Sequence, residues 1–264
     1  MKAQIFKSTL VLAVSLLSFS AVKAQDAYVN DKPVKEESST IRIRFSSNND
    51  TASSEFKPKF VGGISFTRFD LGFTKLVDNG SYDLSATNNF LKYQGGKSSH
   101  LSFDVVDFGY RFSQNFKVYV AGGFDWTLIR LKNNITMDKN SPTLSYTQET
   151  IDFKKNRFSS SYLHVPLNFE FRTNKDKKGN RFYFVVGPEV AFLLNGKVKQ
   201  VSNEHGKVKF KDDYNFSTLR YGASARIGWK DVAAFVKVYN SDMFNTDAQK
   251  GLKNMAFGLT FGIN

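Results

Sequence analysis

The stretch Phe116–Arg130 reads FKVYVAGGFDWTLIR, and it alternates between apolar and polar side chains over most of its length. One face carries Phe116, Val118, Val120, Phe124, Trp126 and Leu128, and the other carries Lys117, Tyr119, Asp125 and Thr127. A period of two predicts a β-strand with two chemically different faces. The apolar face of such a strand points inward in a soluble barrel and outward, toward lipid, in a membrane barrel.

Seven further stretches repeat this pattern. Together with the first, they cover about 59–73, 100–113, 116–130, 158–173, 181–194, 216–229, 231–240 and 255–263. In the first two of them the apolar residues change parity halfway, from Phe66 to Phe69 and from Val105 to Val106. A one-residue slip of this kind predicts a β-bulge in each strand.

The connections between the stretches are alternately short and long. The short ones are 113–115, 174–180 and 230–231, and the long ones are 74–99, 131–157, 195–215 and 241–253. Tight turns at one end and long polar loops at the other are typical of a barrel threaded through an outer membrane. We therefore predict an all-β, antiparallel up-and-down transmembrane barrel of eight strands, with both termini periplasmic. Ten strands is the alternative, if part of 74–99 pairs.

The first 24 residues have the features of a secretory leader. Lys2 and Lys7 precede a short apolar run, and Val22-Lys23-Ala24 offers small residues to a signal peptidase. We predict a signal peptide over 1–24, a flexible periplasmic segment over 25–58 and an outer-membrane barrel over 59–264. The chain contains no cysteine, so disulfides play no part in its stability.

The chain is basic, with a formal net charge of +13. The leader holds three lysines and no acid, so its removal leaves 13 − 3 = +10. For an exported protein this balance points away from nucleic acid and toward anionic surfaces. The predicted partners are outer-membrane lipid, lipopolysaccharide and a protein bound through the long loops.

Four segments carry a resemblance to a known family. They are 161–167 (SYLHVPL), 181–188 (RFYFVVGP), 120–126 (VAGGFDW) and 257–263 (FGLTFGI). In order and spacing they resemble the outer-membrane β-barrel proteins of Bacteroidetes described as PorT-like. The resemblance implies a small outer-membrane barrel and suggests a link to secretion, without fixing one activity. The chain departs from many barrels in ending on Asn264 rather than on an aromatic residue.

The polar faces of the strands bring charges of both signs into the predicted lumen. These are Lys117, Asp125, Glu170, Arg172, Glu189, Arg220, Arg226 and Lys237. An eight-stranded barrel is just wide enough for side chains to fill, and buried charges must pair. We predict a structural network, with Glu170 and Glu189 near Arg220 or Arg226. A narrow ion path or a small-ligand cavity is the alternative.

Catalytic motifs are missing from the sequence. His100, His164 and His205 are scattered, and no GxSxG, HExxH or phosphate-binding loop occurs. We predict no catalytic residue, no metal site and no cofactor. The expected role is structural, adhesive or accessory to assembly and secretion. The alternatives are a narrow pore or small-ligand transport barrel, and a soluble periplasmic ligand-binding barrel with its apolar faces inward.

Two long loops carry most of the remaining basic residues. The predicted basic loop surface consists of Lys132, Lys139, Lys154, Lys155, Arg157, Lys197, Lys199, Lys207, Lys209 and Lys211. Val198, Val201, Val208 and Phe210 alternate with the lysines of 195–215, which predicts a hairpin above the membrane. Such a surface suits lipopolysaccharide phosphates or an acidic partner, and a solvated surface without a partner is the alternative.

Overall fold

The alternating stretches form long antiparallel strands, since a β-strand is the one element that separates residues of period two onto opposite faces. A computed structural model describes residues 43–44 and 56–262. Its strands are β1 (Ile43–Arg44), β2 (Lys59–Asp78), β3 (Ser99–Arg111), β4 (Phe116–Arg130), β5 (Ile135–Met137), β6 (Tyr146–Gln148), β7 (Lys155–Arg172), β8 (Phe182–Ser202), β9 (Gly206–Asp212), β10 (Leu219–Trp229), β11 (Val232–Tyr239) and β12 (Leu252–Gly262).

Eight of these strands close into a ring. The order is β2-β12-β11-β10-β8-β7-β4-β3, and β3 pairs back with β2. The predicted eight-stranded antiparallel barrel is confirmed. The alternative of ten strands is wrong, because 74–99 adds only the end of β2 and two short 3-10 turns, Asn89–Leu91 and Gly95–Lys97.

Three irregularities interrupt the register between neighbouring strands. The shifts between Ile64 and Arg68 of β2 and between Asp104 and Val106 of β3 lie where the parity changes predicted bulges. A third shift, beside Ser161 and Tyr162 of β7, gives β8 one extra residue at Leu194. The sequence around Leu194 is apolar on both faces, so it shows no parity change that would predict this bulge.

The apolar faces of the barrel point outward and the polar faces point inward. Phe73 and Phe257 are 49% and 45% exposed, whereas Asp125 and Arg220 are fully buried. A soluble barrel requires the reverse arrangement, with its carboxylates and guanidinium groups outside. The soluble ligand-binding alternative is therefore wrong for this fold. Among the described residues, no helix is long and apolar enough to span a membrane.

The long-loop end of the barrel has a hydrophobic core of its own. Strand β8 continues to Ser202 and pairs there with β9, which forms the predicted hairpin, while β5 and β6 form a second small hairpin. Beneath them lies a cluster that we call the apolar cap: Leu76, Leu91, Ile129, Leu131, Ile135, Met137, Leu144, Phe158, Val198, Tyr214, Phe216, Met243, Phe244 and Leu252. Phe158 stacks on Phe216 at 4.8 Å and Phe216 on Phe244 at 4.9 Å between ring centroids.

The N-terminal predictions fall almost entirely outside the described residues. The predicted signal peptide over 1–24 lies outside them, as does most of 25–58. Within that segment, Ile43 and Arg44 pair with Ile64 and Gly63 of β2. All strands described above belong to one compact unit, Thr40–Asn264.

Candidate functional site

Lys237 occupies the centre of the lumen. Its Nζ lies 3.2 Å from Asp125 Oδ2, 3.2 Å from Glu189 Oε2 and 3.3 Å from Ser102 Oγ. Strand β11, which carries Lys237, stands four strands away from β4 in either direction around the ring. The ion pair between Lys237 and Asp125 therefore joins diametrically opposite walls.

Three side chains around Lys237 have the donor atoms of a metal site. Asp125, His164 and Glu189 each offer one ligand atom, and these atoms lie within 4.8 Å of one another. The Nζ of Lys237 is 3.4 Å from His164 Nδ1 and 3.2 Å from a carboxylate oxygen of each acid. A cation of the protein itself thus fills the position between the three ligands.

A second layer of charges lies beside the first. Arg226 Nη2 donates to Asp70 Oδ2 at 2.7 Å, and Thr260 Oγ1 donates to Asp70 Oδ1 at 2.7 Å. Asp104 Oδ1 lies 3.1 Å from His164 Nε2. A Cβ built on Gly123 would lie 2.7 Å from the same His164 nitrogen, so a glycine is needed where this ring packs.

The short-turn end holds a third group of charges. Lys117 and Glu170 stand directly opposite each other on β4 and β7, with Nζ 3.4 Å from Oε2. Arg172 Nε also contacts Glu170 and is partly buried. The ammonium of Lys117 lies 3.8 Å from the ring centroid of Tyr119.

The expected partners of the two glutamates need correction. Glu170 pairs with Lys117 and Arg172, and Glu189 pairs with Lys237, rather than with Arg220 or Arg226. Register explains the difference, because Lys117 is the residue directly opposite Glu170.

The two arginines have other neighbours. Arg226 reaches Asp70 instead of a glutamate. The guanidinium of Arg220 lies between the rings of Tyr162 and Tyr239, 4.2 and 3.7 Å from their centroids.

Several members of this network were not predicted from the sequence. Asp70, Asp104 and His100 are buried in the lumen, and Arg68 pairs with Asp104 at 3.3 Å. The sequence did carry a signal for one of them, Asp70. Asp70 stands between the lipid-facing Phe69 and Leu71, and the alternation that placed Asp125 inward places Asp70 inward too.

Many of the predicted basic residues form ordered rows at the long-loop end. Arg130 of β4 stands opposite Arg157 of β7, Arg157 stands opposite Lys199 of β8, and Lys199 stands opposite Lys209 of β9. Directly opposite residues of antiparallel strands lie on the same face, about 4.5–5.5 Å apart at Cβ. Four cations therefore form one row across four strands.

Shorter rows flank this one on the same face. Lys197 stands opposite Lys211 on one side, and Lys155 and Lys207 both stand opposite Val201 on the other. We call these eight side chains, the central row and its flanks, the cation lattice. Within the part of the chain that the structure describes, no carboxylate lies within 4.0 Å of any of their charged nitrogens.

The pKa values of three lattice lysines reflect this crowding. The pKa of Lys155 is lowered chiefly by the charge of Arg157. For Lys197 and Lys199, desolvation and then the neighbouring lysines lower the pKa. Like charges without an acid between them disfavour the protonated state.

The remaining members of the predicted basic surface are outside the rows of the lattice. Lys132, Lys139 and Lys154 are exposed on the segment between β4 and β7 and stand in none of the rows. Arg130, which the sequence analysis did not include, is the lattice member contributed by β4.

The long loops also enclose a small neutral cavity. It has a volume of about 360 Å³, and its lining includes Asn89, Phe90, Asn133, Tyr146 and Gln148. Phe90 and Tyr146 stack at 4.8 Å between centroids. No charged side chain contributes to the lining.

One of three comparisons with known proteins supports this architecture. A family model described as an outer membrane protein beta-barrel domain matches residues 45–264. A comparison with curated proteins gives no match. Among solved structures, the chain is similar to Ail, the attachment invasion locus protein of Yersinia pestis, which was solved with the heparin analogue sucrose octasulfate. The identity is 15% over 74% of this chain and 94% of that one, and a TM-score of 0.31 is too low to carry an argument.

Proposed function

We propose, from the premise that this chain belongs to the family of outer-membrane proteins with a β-barrel domain, that its barrel is a closed, non-enzymatic anchor. The anchor presents an ordered head on the cell surface, and the head has an adhesive role. The short turns and both termini lie in the periplasm, and the long loops form the extracellular head. The PorT-like affiliation within Bacteroidetes is part of the same proposal and rests on the four strand segments given above.

One observation carries the proposal of a closed barrel. The ammonium of Lys237 joins Asp125 on the opposite wall to Glu189 on the near wall, with 3.2 Å to each acid. Hydrated ions need a continuous water-filled path, and these contacts occupy the centre of the only passage that an eight-stranded ring offers. The apolar cap lies above the contacts of Lys237 at the long-loop end, and it also favours a closed barrel over a pore.

The same contacts support a role without catalysis. Asp125, His164 and Glu189 surround the ammonium of Lys237 and are at most 2% exposed, so a substrate has no approach to them. The extracellular head, by contrast, combines a rigid hydrophobic core with a large exposed polar surface. A rigid exposed platform on a closed anchor suits attachment to a partner outside the cell.

Two measurements test the proposal. Planar bilayers containing the purified barrel should show no stepwise conductance, and regular single-channel steps would contradict the closed anchor. Cells in which 138–145 is replaced by a two-residue turn should attach less well to surfaces than wild type. A matched replacement of the periplasmic turn 175–179 should leave attachment unchanged, and equal attachment by both strains would contradict the adhesive role.

A further inference from the structure

The cation lattice points sideways from the barrel wall, not upward from its rim. Arg130 has the same parity on β4 as Trp126 and Leu128, which belong to the apolar outer face, whereas Ile129 points inward and is fully buried. On β7, Arg157 has the parity of the outward Leu163, and Phe158 points inward into the apolar cap. The lattice is thus a continuation of the lipid-facing surface beyond the apolar belt.

The lattice also begins close to that belt. Arg130 lies four residues beyond Trp126 and two beyond Leu128. At about 3.4 Å per residue, Arg130 lies roughly 7–14 Å farther along β4 than these side chains, which is about 5–11 Å in height for a strand tilted by roughly 35–45°. In an outer membrane, this height is the headgroup region of the outer leaflet.

Edge protection accounts for only part of the lattice. Lysines on a free edge discourage pairing with other chains, and this reason applies to Lys207, Lys209 and Lys211 on β9. Strands β7 and β8, in contrast, are paired on both sides at this level. Arg157 and Lys199 have no edge to protect, and two like charges directly opposite each other destabilise a sheet.

We propose that the cation lattice binds the phosphate groups of the lipopolysaccharide that surrounds the barrel. The proposal rests on the outer-membrane insertion and orientation proposed above, and it names the ligand of one side of the extracellular head. Neighbouring strands lie about 4.8 Å apart and same-face neighbours along a strand about 6.8 Å apart, so one phosphate can contact two or three cations. Arg130 and Arg157 supply guanidinium groups, which bind phosphate through two parallel hydrogen bonds.

Position decides between a lipid headgroup and a soluble polyanion. A polymer arriving from the medium would first meet the turns of the two hairpins, 138–145 and 203–205. The lattice instead faces along the membrane plane, where lipid phosphates are immobile and abundant. Bound lipopolysaccharide would sit on the β4-β7-β8-β9 side of the barrel.

The test compares two double variants with equal loss of charge. Arg157→Gln/Lys199→Gln removes the centre of the lattice, and Lys250→Gln/Lys253→Gln removes two charges at the start of β12, four strands away from β7 around the ring, as a control. The probes are bisphosphorylated lipid A, the same lipid A without phosphate, and heparin, each added to the detergent-solubilised barrel. The readouts are lipid retained in native mass spectra and the Kd from titration at fixed salt.

The expected result is a roughly tenfold or greater weakening of lipid A binding in the lattice variant, with the control near wild type. Dephosphorylated lipid A should bind all three proteins weakly and equally. Equal binding of bisphosphorylated lipid A by both variants would overturn the proposal. So would tighter binding of heparin than of lipid A that is lost in the lattice variant, because the ligand would then be a soluble polyanion.

A separate readout distinguishes failure of this inference from failure of the proposed function. His205→Cys, in the exposed turn between β8 and β9 and outside the lattice, is labelled in intact cells with a membrane-impermeant maleimide and reports whether this hairpin is extracellular. Labelling together with unchanged lipid A binding removes only the lattice proposal. Absence of labelling in correctly folded protein, whose gel mobility shifts after boiling, overturns the orientation and with it both proposals.

Discussion

The lumen and the cation lattice use the same basic residue types, yet the charges are compensated in the lumen and uncompensated in the lattice. Inside the barrel, Lys237 and Arg226 each contact a carboxylate within 3.2 Å. On the outer wall, Arg157 and Lys199 face each other directly, with no acid beside them. Buried charges must be compensated within the fold, whereas charges at a surface can be left for solvent or a ligand. The proposed ligand of the lattice is accordingly sought where charges lack a partner within the fold.

The largest loss of stability is expected when the central cation of the lumen, Lys237, is removed. Lys237→Met leaves Asp125 and Glu189 buried beside one another, and we expect the free energy of unfolding to fall by ~3–5 kcal/mol. Urea titration of the barrel in micelles, followed by the gel-mobility shift, measures this loss. Lys250→Met, an exposed lysine, should change stability by less than ~0.5 kcal/mol, and equal effects would contradict a structural role for Lys237.

A smaller effect is expected from the two buried arginines. Arg226→Met isolates Asp70 and should cost about 3 kcal/mol, whereas Arg220→Met loses contacts with two tyrosine rings and should cost about 1–2 kcal/mol. Adding Asp70→Leu to Arg226→Met should recover much of the loss, because no buried charge is then left alone. If both arginine variants unfold like wild type, the lumen charges do not form a network.

The smallest effect should have the opposite sign. Lys199→Glu places a carboxylate between Arg157 and Lys209, and we expect it to raise the free energy of unfolding by ~0.2–1 kcal/mol. The same reversal at Lys237 would put a third carboxylate beside Asp125 and Glu189 and should prevent folding. Destabilisation by Lys199→Glu would mean that the lattice contributes to the fold itself.

Much of the architecture was predictable because the alternation of side chains is local. The clean alternation of 116–130 gave the bounds of β4 to the residue, and two parity changes located two bulges. The long-loop end was not predictable in this way. Ile135, Met137 and Phe244 lie in segments rich in Lys, Asn and Asp, and only their meeting in space forms the apolar cap.

The pairing of charges was harder to predict than their position. Alternation places Glu189 inward, but it does not say which strand stands across the lumen from it. The partner of Glu189 depends on the order of strands in the ring and on the residue directly opposite it. Here that residue is Gly222, which has no side chain to bind the carboxylate in place of Lys237. The rows of the lattice depend likewise on register between four strands, which no single segment contains.

The seam between β12 and β2 has a consequence for how the protein is made. Leu252–Gly262 pairs with residues 68–78, so the last strand of the ring closes on the first. A nascent or truncated chain that stops before Leu252 lacks β12, so β11 and β2 each keep an unpaired edge. The ring is then open, and the contacts across its lumen cannot form. Pairing between segments so distant in sequence forms slowly, and unpaired strand edges favour aggregation until it does. Strand β12 is therefore the element on which closure of the ring depends.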